Sequence, residues 1–326
     1  MTRFAARVST LAVVSIAALA FATLAGAQAY PSRPVKVIVP WPPGQATDIA
    51  ARLLGQKLQD SLGQPFVMDN RGGAGGSLGT ELFARAPADG YTLLAASSGP
   101  VSIMPSLQKL PYDPLKEFVL VGVVSRNPYA LVVPPNFPAS NAKEFIALLR
   151  ANPDKYTFSS SGTGATAHLI TELFNSLAGI KARHIPYKGS AQALTDVING
   201  QVNFTLETVA GTVAHIKSGR LKTFGITTAK RAGGLPDVPT LAEAAGIDID
   251  AGAWIGYAVH ASAPREVIAR LGAEIQKILN DEEFKVRLVN AGLDPSPMPP
   301  ESLPGFMKLE QERYAQIIKN AGIKME

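Results

Sequence analysis

Residues 35–63 read VKVIVPWPPGQATDIAARLLGQKLQDSLG, and within them the period of the apolar residues changes. Residues 35–39 form a β-branched apolar run of strand length, whereas over residues 47–62 Ile49, Leu53, Leu54, Leu58 and Leu62 return at helical spacing. Thr47 or Asp48 is the expected N-cap and Gly63 the stop. A strand running through a short loop into a helix is half of a βαβ unit.

The unit recurs downstream. Strands are expected at 65–68 and 91–96 around a helix at 77–86, which implies a parallel sheet. A proline-rich stretch (Pro100, Pro105, Pro111, Pro114) follows, then two strand-like runs, 119–124 and 129–133, flanking Asn127-Pro128, where the chain is expected to cross to a second lobe. The alternation resumes with helices at 141–150, 166–177, 191–198 and 209–218 and strands at 156–160, 182–186, 202–206 and 221–227. A strand near 254–259 and helices at 265–279 and 303–318 are expected to return to the first lobe. The expected fold class is α/β: two Rossmann-like βα lobes, 30–127 plus 229–326 and 128–228, with a ligand cleft between them. In such an arrangement strand ends and helix starts surround a shared crevice, where ligands bind.

The first residues have a different purpose. Arg3 and Arg7 precede an apolar run at 11–25, Ala27-Gln28-Ala29 follows, and no acid occurs before Tyr30. This is the pattern of a secretory signal, residues 1–29, cleaved after Ala29, and it points to the periplasm. The run is too short and too poorly anchored to read as a transmembrane helix. Without Arg3 and Arg7, 29 basic residues face 26 acidic ones, a net charge of +3 that does not suggest nucleic acid. No cysteine occurs in the 326 residues, so disulfides and thiolate metal sites are excluded.

Two strand-to-helix loops carry the candidate chemistry. Pro40 to Asp48 opens directly into a helix start, whose free amides and partial positive charge suit a carboxylate without any arginine; it reads equally as an ordinary connection capped by Asp48. Trp41 offers an aromatic face to a ligand's carbon skeleton or a core filler. The second loop, Ser159 to His168, is dense in small donors. Its Gly162-x-Gly164-x-x-Ala167 resembles a dinucleotide fingerprint, but Pro186-Tyr187-Lys188 stands where the acidic partner belongs. Gly75-Gly76-Ser77-Leu78-Gly79 matches a nucleophile elbow, yet too many residues separate Ser77 from its strand, so a serine esterase is the lesser reading. His168, His184, His215 and His260 lack metal spacing. Pro186 to Ser190 ends one strand of the second lobe and starts a helix, which would turn Tyr187 and the Gly189 and Ser190 amides to the crevice, and Glu207 ends another strand, where it either reads a ligand's amino or hydroxyl group or caps the next helix.

Taken in order, YPSRPVKVIVPWPPGQATDIAARLLGQKL, GQPFVMDNRGGAGGSLGTELFARAPADGYTLL, LPYDP, SSSGTGATAHL, HIPYKGSAQALTDVINGQV and ITTAKRAGGLPDVPTLAEAAG resemble the substrate-binding receptors of tripartite tricarboxylate transporters, the Bug family. The resemblance implies a type II periplasmic binding protein, not an enzyme, that closes on a carboxylate and presents it to a permease with a large and a small integral subunit. It further implies ligand contacts from Trp41, Pro43, Gly44, Gln45, Ala46, Thr47 and Asp48 and from Ser161, Gly162, Thr163, Gly164, Ala165, Thr166 and His168. Ser97, Ser98, Tyr187, Gly189 and Glu207 complete the expected pocket. Gln45 stands where the family often has glycine, Glu207 where aspartate is common, and Trp41 where phenylalanine is common, so a di- or tricarboxylate and an aromatic carboxylate both stay open. No cofactor, metal or nucleic acid is expected, and the protein is expected to be a monomer. A sensory role, with the loaded receptor docking on a membrane kinase, is the alternative partner.

Overall fold

The computed structural model describes residues 30–321; the expected signal at 1–29 lies outside the described residues. Five main strands form the first lobe's sheet, and the short strand Asp294–Pro295 adds antiparallel to the edge of its last, at Ser125 and Arg126. β1 (Val35–Val39) lies between β2 (Phe66–Asn70) and β3 (Thr92–Ser97), parallel to both. β9 (Gly252–His260) then runs antiparallel between β3 and the first half of β4 (Phe118–Val133). The second lobe repeats this order. β5 (Thr157–Ser160) lies between β6 (Arg183–Pro186) and β7 (Phe204–Thr208), and the second half of β4 runs antiparallel between β7 and β8 (Lys222–Ile226). Each lobe therefore has an α/β sheet with one antiparallel strand donated at the crossing, the arrangement expected of a type II binding protein.

β4 corrects the expectation of two strands. It is continuous for 16 residues and changes partners at the proline: Pro128 is the last residue paired with β9, and Tyr129 the first paired with β7. Proline cannot donate to a ladder, and here it occupies the step where the ladder is handed over. Tyr129 N is met by Thr227 Oγ1 (3.1 Å), and Thr227 N donates to Tyr129 O (2.9 Å), which ties the two crossings together.

The first helix, α1 (Ala46–Leu62), starts one residue before the expected bound, with Gln45 rather than Thr47 or Asp48 as N-cap. Ala46, Ala50, Ala51, Leu54 and Leu58 bury against the sheet, while Ile49, Leu53 and Leu62 pack at the margin. In the second lobe Phe145, Phe158, Phe174 and Phe204 form the aromatic centre of the core; truncating one such phenylalanine to alanine costs about 3–5 kcal/mol.

Two later segments differ from expectation. The helix Leu241–Ala245, capped by a Thr240/Glu243 box, places Leu241 with Ile247 and Ile249 among Phe145 and Phe224. The chain after residue 229 therefore packs on the second lobe until it enters β9. The last helix, Leu303–Ala321, is also divided. Leu303, Phe306 and Met307 join Trp254 and Phe118 in the first lobe, whereas Tyr314 and Ile318 meet Ile103 and, from the second lobe, Leu169. The helix Glu282–Asn290, capped by Asp281, was not anticipated.

Candidate functional site

α1 and the helix Thr166–Ala178 start with the same local construction. Gly44 (φ 83°) and Gly164 (φ 75°) take left-handed backbone, which favours glycine. Each turns its amide back onto the third helical side chain: Gly44 N donates to Asp48 Oδ2 (2.9 Å) and Gly164 N to His168 Nδ1 (3.2 Å). The two glycine amides are therefore internally paired, contrary to the expectation that they face a ligand. The groups left over are the first-turn amides, Ala46 and Thr47 in one helix and Thr166 and Ala167 in the other, which have no intrahelical acceptor.

Asp48 is a buttress. Burial opposes its charge, but Arg52 (2.9 and 3.0 Å), the Gly44 amide and Asn70 Nδ2 (2.9 Å) outweigh it and hold the carboxyl below its usual range. His168 has the same role in the other loop. The bond from Gly164 makes Nδ1 an acceptor and leaves the proton on Nε2, and burial lowers the imidazole to about 4. His184 stacks on it at 4.0 Å and is lowered to about 3 by burial and by His168; its Nε2 shares a hydrogen bond with Ser160 Oγ (2.7 Å). Both rings are neutral at pH 7.

Between the lobes is a small cavity of ≈ 30 Å³. Gln45, Ala46, Thr47, Ser161 and Thr166 line it from the two loops, Trp41 and Ser97 from the first lobe, and Glu207 from the end of β7. These eight expected residues do come together. Ser190, read from the sequence as a residue that could face the crevice, also lines it, whereas Asn127, Tyr129, Thr208, Ala253 and Ile255, which complete the wall, were not expected there. Ser190 is the first residue of the helix Ser190–Ile198 and Thr208 caps the helix Val209–Lys217, its Oγ1 accepting from Gly211 N (3.3 Å). Four helix starts thus meet around this volume among the described residues, each with partial positive charge.

Two carboxamides stand out. Asn127 is fully buried on β4 at the crossing, and neither its Nδ2 nor its Oδ1 has a partner among the described residues; Gln45 Nε2 is in the same condition. Buried polar atoms are nearly always paired, so such groups in a cavity wall are fitted to a polar guest. A buried asparagine beside a proline at a lobe crossing was the signal available in the sequence.

The remaining expected residues lie elsewhere. Pro43, Gly44 and Gly189 line an outer chamber of ≈ 550 Å³ together with Lys188, His215 and Arg220; it meets the cavity at Gln45, Ser190 and Thr208. Pro43 also borders a second chamber of ≈ 740 Å³, with Gly162, Thr163 and Tyr187, which meets the cavity at Trp41 and Ser161. Tyr187 is held by its hydroxyl, which donates to Asp196 Oδ2 (2.5 Å). Ser98 is structural: its Oγ accepts from Trp254 N (2.7 Å). Ala165 is packed in the first lobe's core cluster. Trp41 donates from Nε1 to Ser97 Oγ (2.9 Å), which fixes the indole as one wall.

The lobes touch on both sides of the cavity. A Cβ on Gly189 would stand 2.9 Å from Pro42 Cγ, and one on Gly75 would stand 3.6 Å from Thr163 O and from Gly164 C. Ser77 is no nucleophile here: its Oγ donates to Ala74 O (2.7 Å) and six residues separate it from the end of β2.

Comparison with known proteins follows the same direction. The family profile described as "Tripartite tricarboxylate transporter family receptor" matches residues 50–323. The protein BugT of Bordetella pertussis is 36% identical over 323 residues, covering 97% of this chain and 98% of its own. Among solved structures, Rpa4515 of R. palustris with adipate superimposes with a TM-score of 0.87 at 31% identity, covering 90% of this chain and 99% of the other. MatC from Rhodopseudomonas palustris with bound malate gives 0.82 at 30% identity, covering 89% and 100%.

Proposed function

This chain belongs to the tripartite tricarboxylate transporter receptor family, and from that premise we propose that it captures a small organic carboxylate in the periplasm and delivers it to a membrane permease with a large and a small integral subunit. The observation that carries the reading is the convergence of four helix starts and two unpaired carboxamides on one cavity whose wall contains no lysine, arginine or histidine. Amide donors and helix dipoles stabilise a carboxylate without a cationic side chain. The first-turn amides of Ala46, Thr47 and Thr166 are the proposed primary donors, with Asn127 Nδ2 and Gln45 Nε2 beside them. Adipate in Rpa4515 and malate in MatC support the ligand class.

The cavity is small enough that only a carboxylate head enters it when the lobes touch, and the rest of the ligand extends towards an outer chamber. Exchange then requires the lobes to part at the Gly189–Pro42 and Gly75–Gly164 contacts, a hinge motion of the kind that closes around solutes. The protein acts as a monomer on this reading. A thermal-shift screen of mono-, di-, tri- and aromatic carboxylates tests it, followed by native mass spectrometry of the co-purified ligand. Stabilisation by at least one acid is expected, and a flat response across the panel refutes the assignment.

A further inference from the structure

Glu207 carries the one carboxyl group in the cavity wall among the described residues, and it sits where an anion is proposed to bind. It is 5% exposed. Oε1 accepts from Thr208 N (2.7 Å) and Thr208 Oγ1 (3.0 Å), whereas Oε2 accepts only from Ser190 Oγ (2.6 Å). Among the described residues no lysine, arginine or histidine joins it in the cavity wall. β4 presents Tyr129, the helix Val209–Lys217 carries His215 and Lys217 in its last turn, remote from the cavity wall, and Lys188, His215 and Arg220 line the outer chamber rather than the cavity. Asp48 on α1 is engaged by Gly44, Arg52 and Asn70, and His168 by Gly164. Two carboxylates brought together in a small cavity without a cation repel each other, which raises the affinity of the pair for a proton that they can share.

We propose that the receptor binds its carboxylate together with one proton from solvent, held between Glu207 Oε2 and a ligand oxygen. This rests on the carboxylate reading of the site and adds a role for Glu207 as a specificity-determining residue. Oε2, with a single accepted bond, has room for the proton; turning the Ser190 hydroxyl keeps that contact while Glu207 donates to the ligand. Burial already pushes the Glu207 carboxyl upward, against the Ser190 and Thr208 bonds that favour its charged form. A protonated Glu207 then becomes a donor, in line with the amides around it, and an O–H···O⁻ bond of this kind is among the stronger ones.

Calorimetric titration of the full protein with adipate and with malate tests this, in buffers of different ionisation enthalpy at pH 7. Uptake approaching one proton per ligand is expected, with affinity falling towards ten-fold per pH unit above neutrality. Glu207→Gln should bind with affinity that no longer varies with pH and with no proton uptake, while Glu207→Asp should restore the uptake. Binding by the parent protein without proton uptake, or uptake that persists in Glu207→Gln, overturns the proposal. The parent's proton count decides the matter even where a variant fails to fold. Failure of both acids to bind at pH 5 and at pH 8, with no other carboxylate registering in the screen, would instead defeat the carboxylate reading itself.

Discussion

Replacing Asn127 with leucine should make the protein more stable and a poorer receptor at once. The side chain is fully buried on β4, and neither polar atom of its carboxamide has a partner among the described residues. Leaving a buried polar group unpaired costs about 1–3 kcal/mol, and leucine has a similar size without that penalty. The ligand-free protein should therefore gain about 1–3 kcal/mol. With an unfolding entropy of roughly 0.6 kcal/mol/K for a chain this long, the melting temperature should rise by about 2–5 °C. Binding should move the other way, because a hydrogen bond to a charged carboxylate contributes about 1.5–3 kcal/mol, roughly a 10- to 150-fold loss in affinity. Scanning calorimetry without ligand and titration calorimetry with adipate measure the two effects separately. A lower melting temperature together with unchanged affinity would falsify the claim that this carboxamide is kept for a ligand.

Two further predictions concern closure and pH. Gly189 has φ 166°, ordinary extended backbone, so Gly189→Ala should fold normally but place a methyl 2.9 Å from Pro42 Cγ across the lobe boundary. Overpacking of about 1–3 kcal/mol in the closed form should weaken binding about 5- to 150-fold and leave the ligand-saturated protein larger by small-angle scattering; parental affinity in this variant would show that closure does not bring these residues together. The folded pKa values of His168 and His184, about 4 and about 3, lie below the unfolded value of about 6.5. The unfolded chain therefore binds more protons between these limits, and stability is complete above about pH 6.5 and declines as pH falls through that window. His168 should contribute about 1.4 kcal/mol per pH unit there, and the more exposed His184 less. Melting curves from pH 7 to pH 4.5 should show the loss, and His168→Gln should flatten it; an unaltered pH profile in that variant would remove the histidine from the explanation.

The resemblance carried by the six quoted motifs agrees with the family match, and much of the fold was readable because it is locally encoded. Alternating β-branched runs and helical stripes set strands and helices within a few residues of their observed bounds, and glycine-marked loops announced the two helix starts. Prolines marked the crossing near Asn127-Pro128. Those signals act over a turn of helix or a few strand positions, where the period of the side chains and the φ limits of glycine and proline suffice.

Tertiary structure alone decided which of these local features share a space. Thr208 carries no distinguishing local pattern, and it, Asn127 and Ser190 reach Ala46 and Thr166 only because β4 runs unbroken from one sheet into the other. Likewise, sequence spacing could place Gly44 and Gly164 beside a helix start, but it could not show that Asp48 and His168 would take up their amides. Pairing of strands far apart in the chain, and competition between a nearby side chain and a ligand for the same N–H, depend on three-dimensional distance, which no periodicity of residue types encodes.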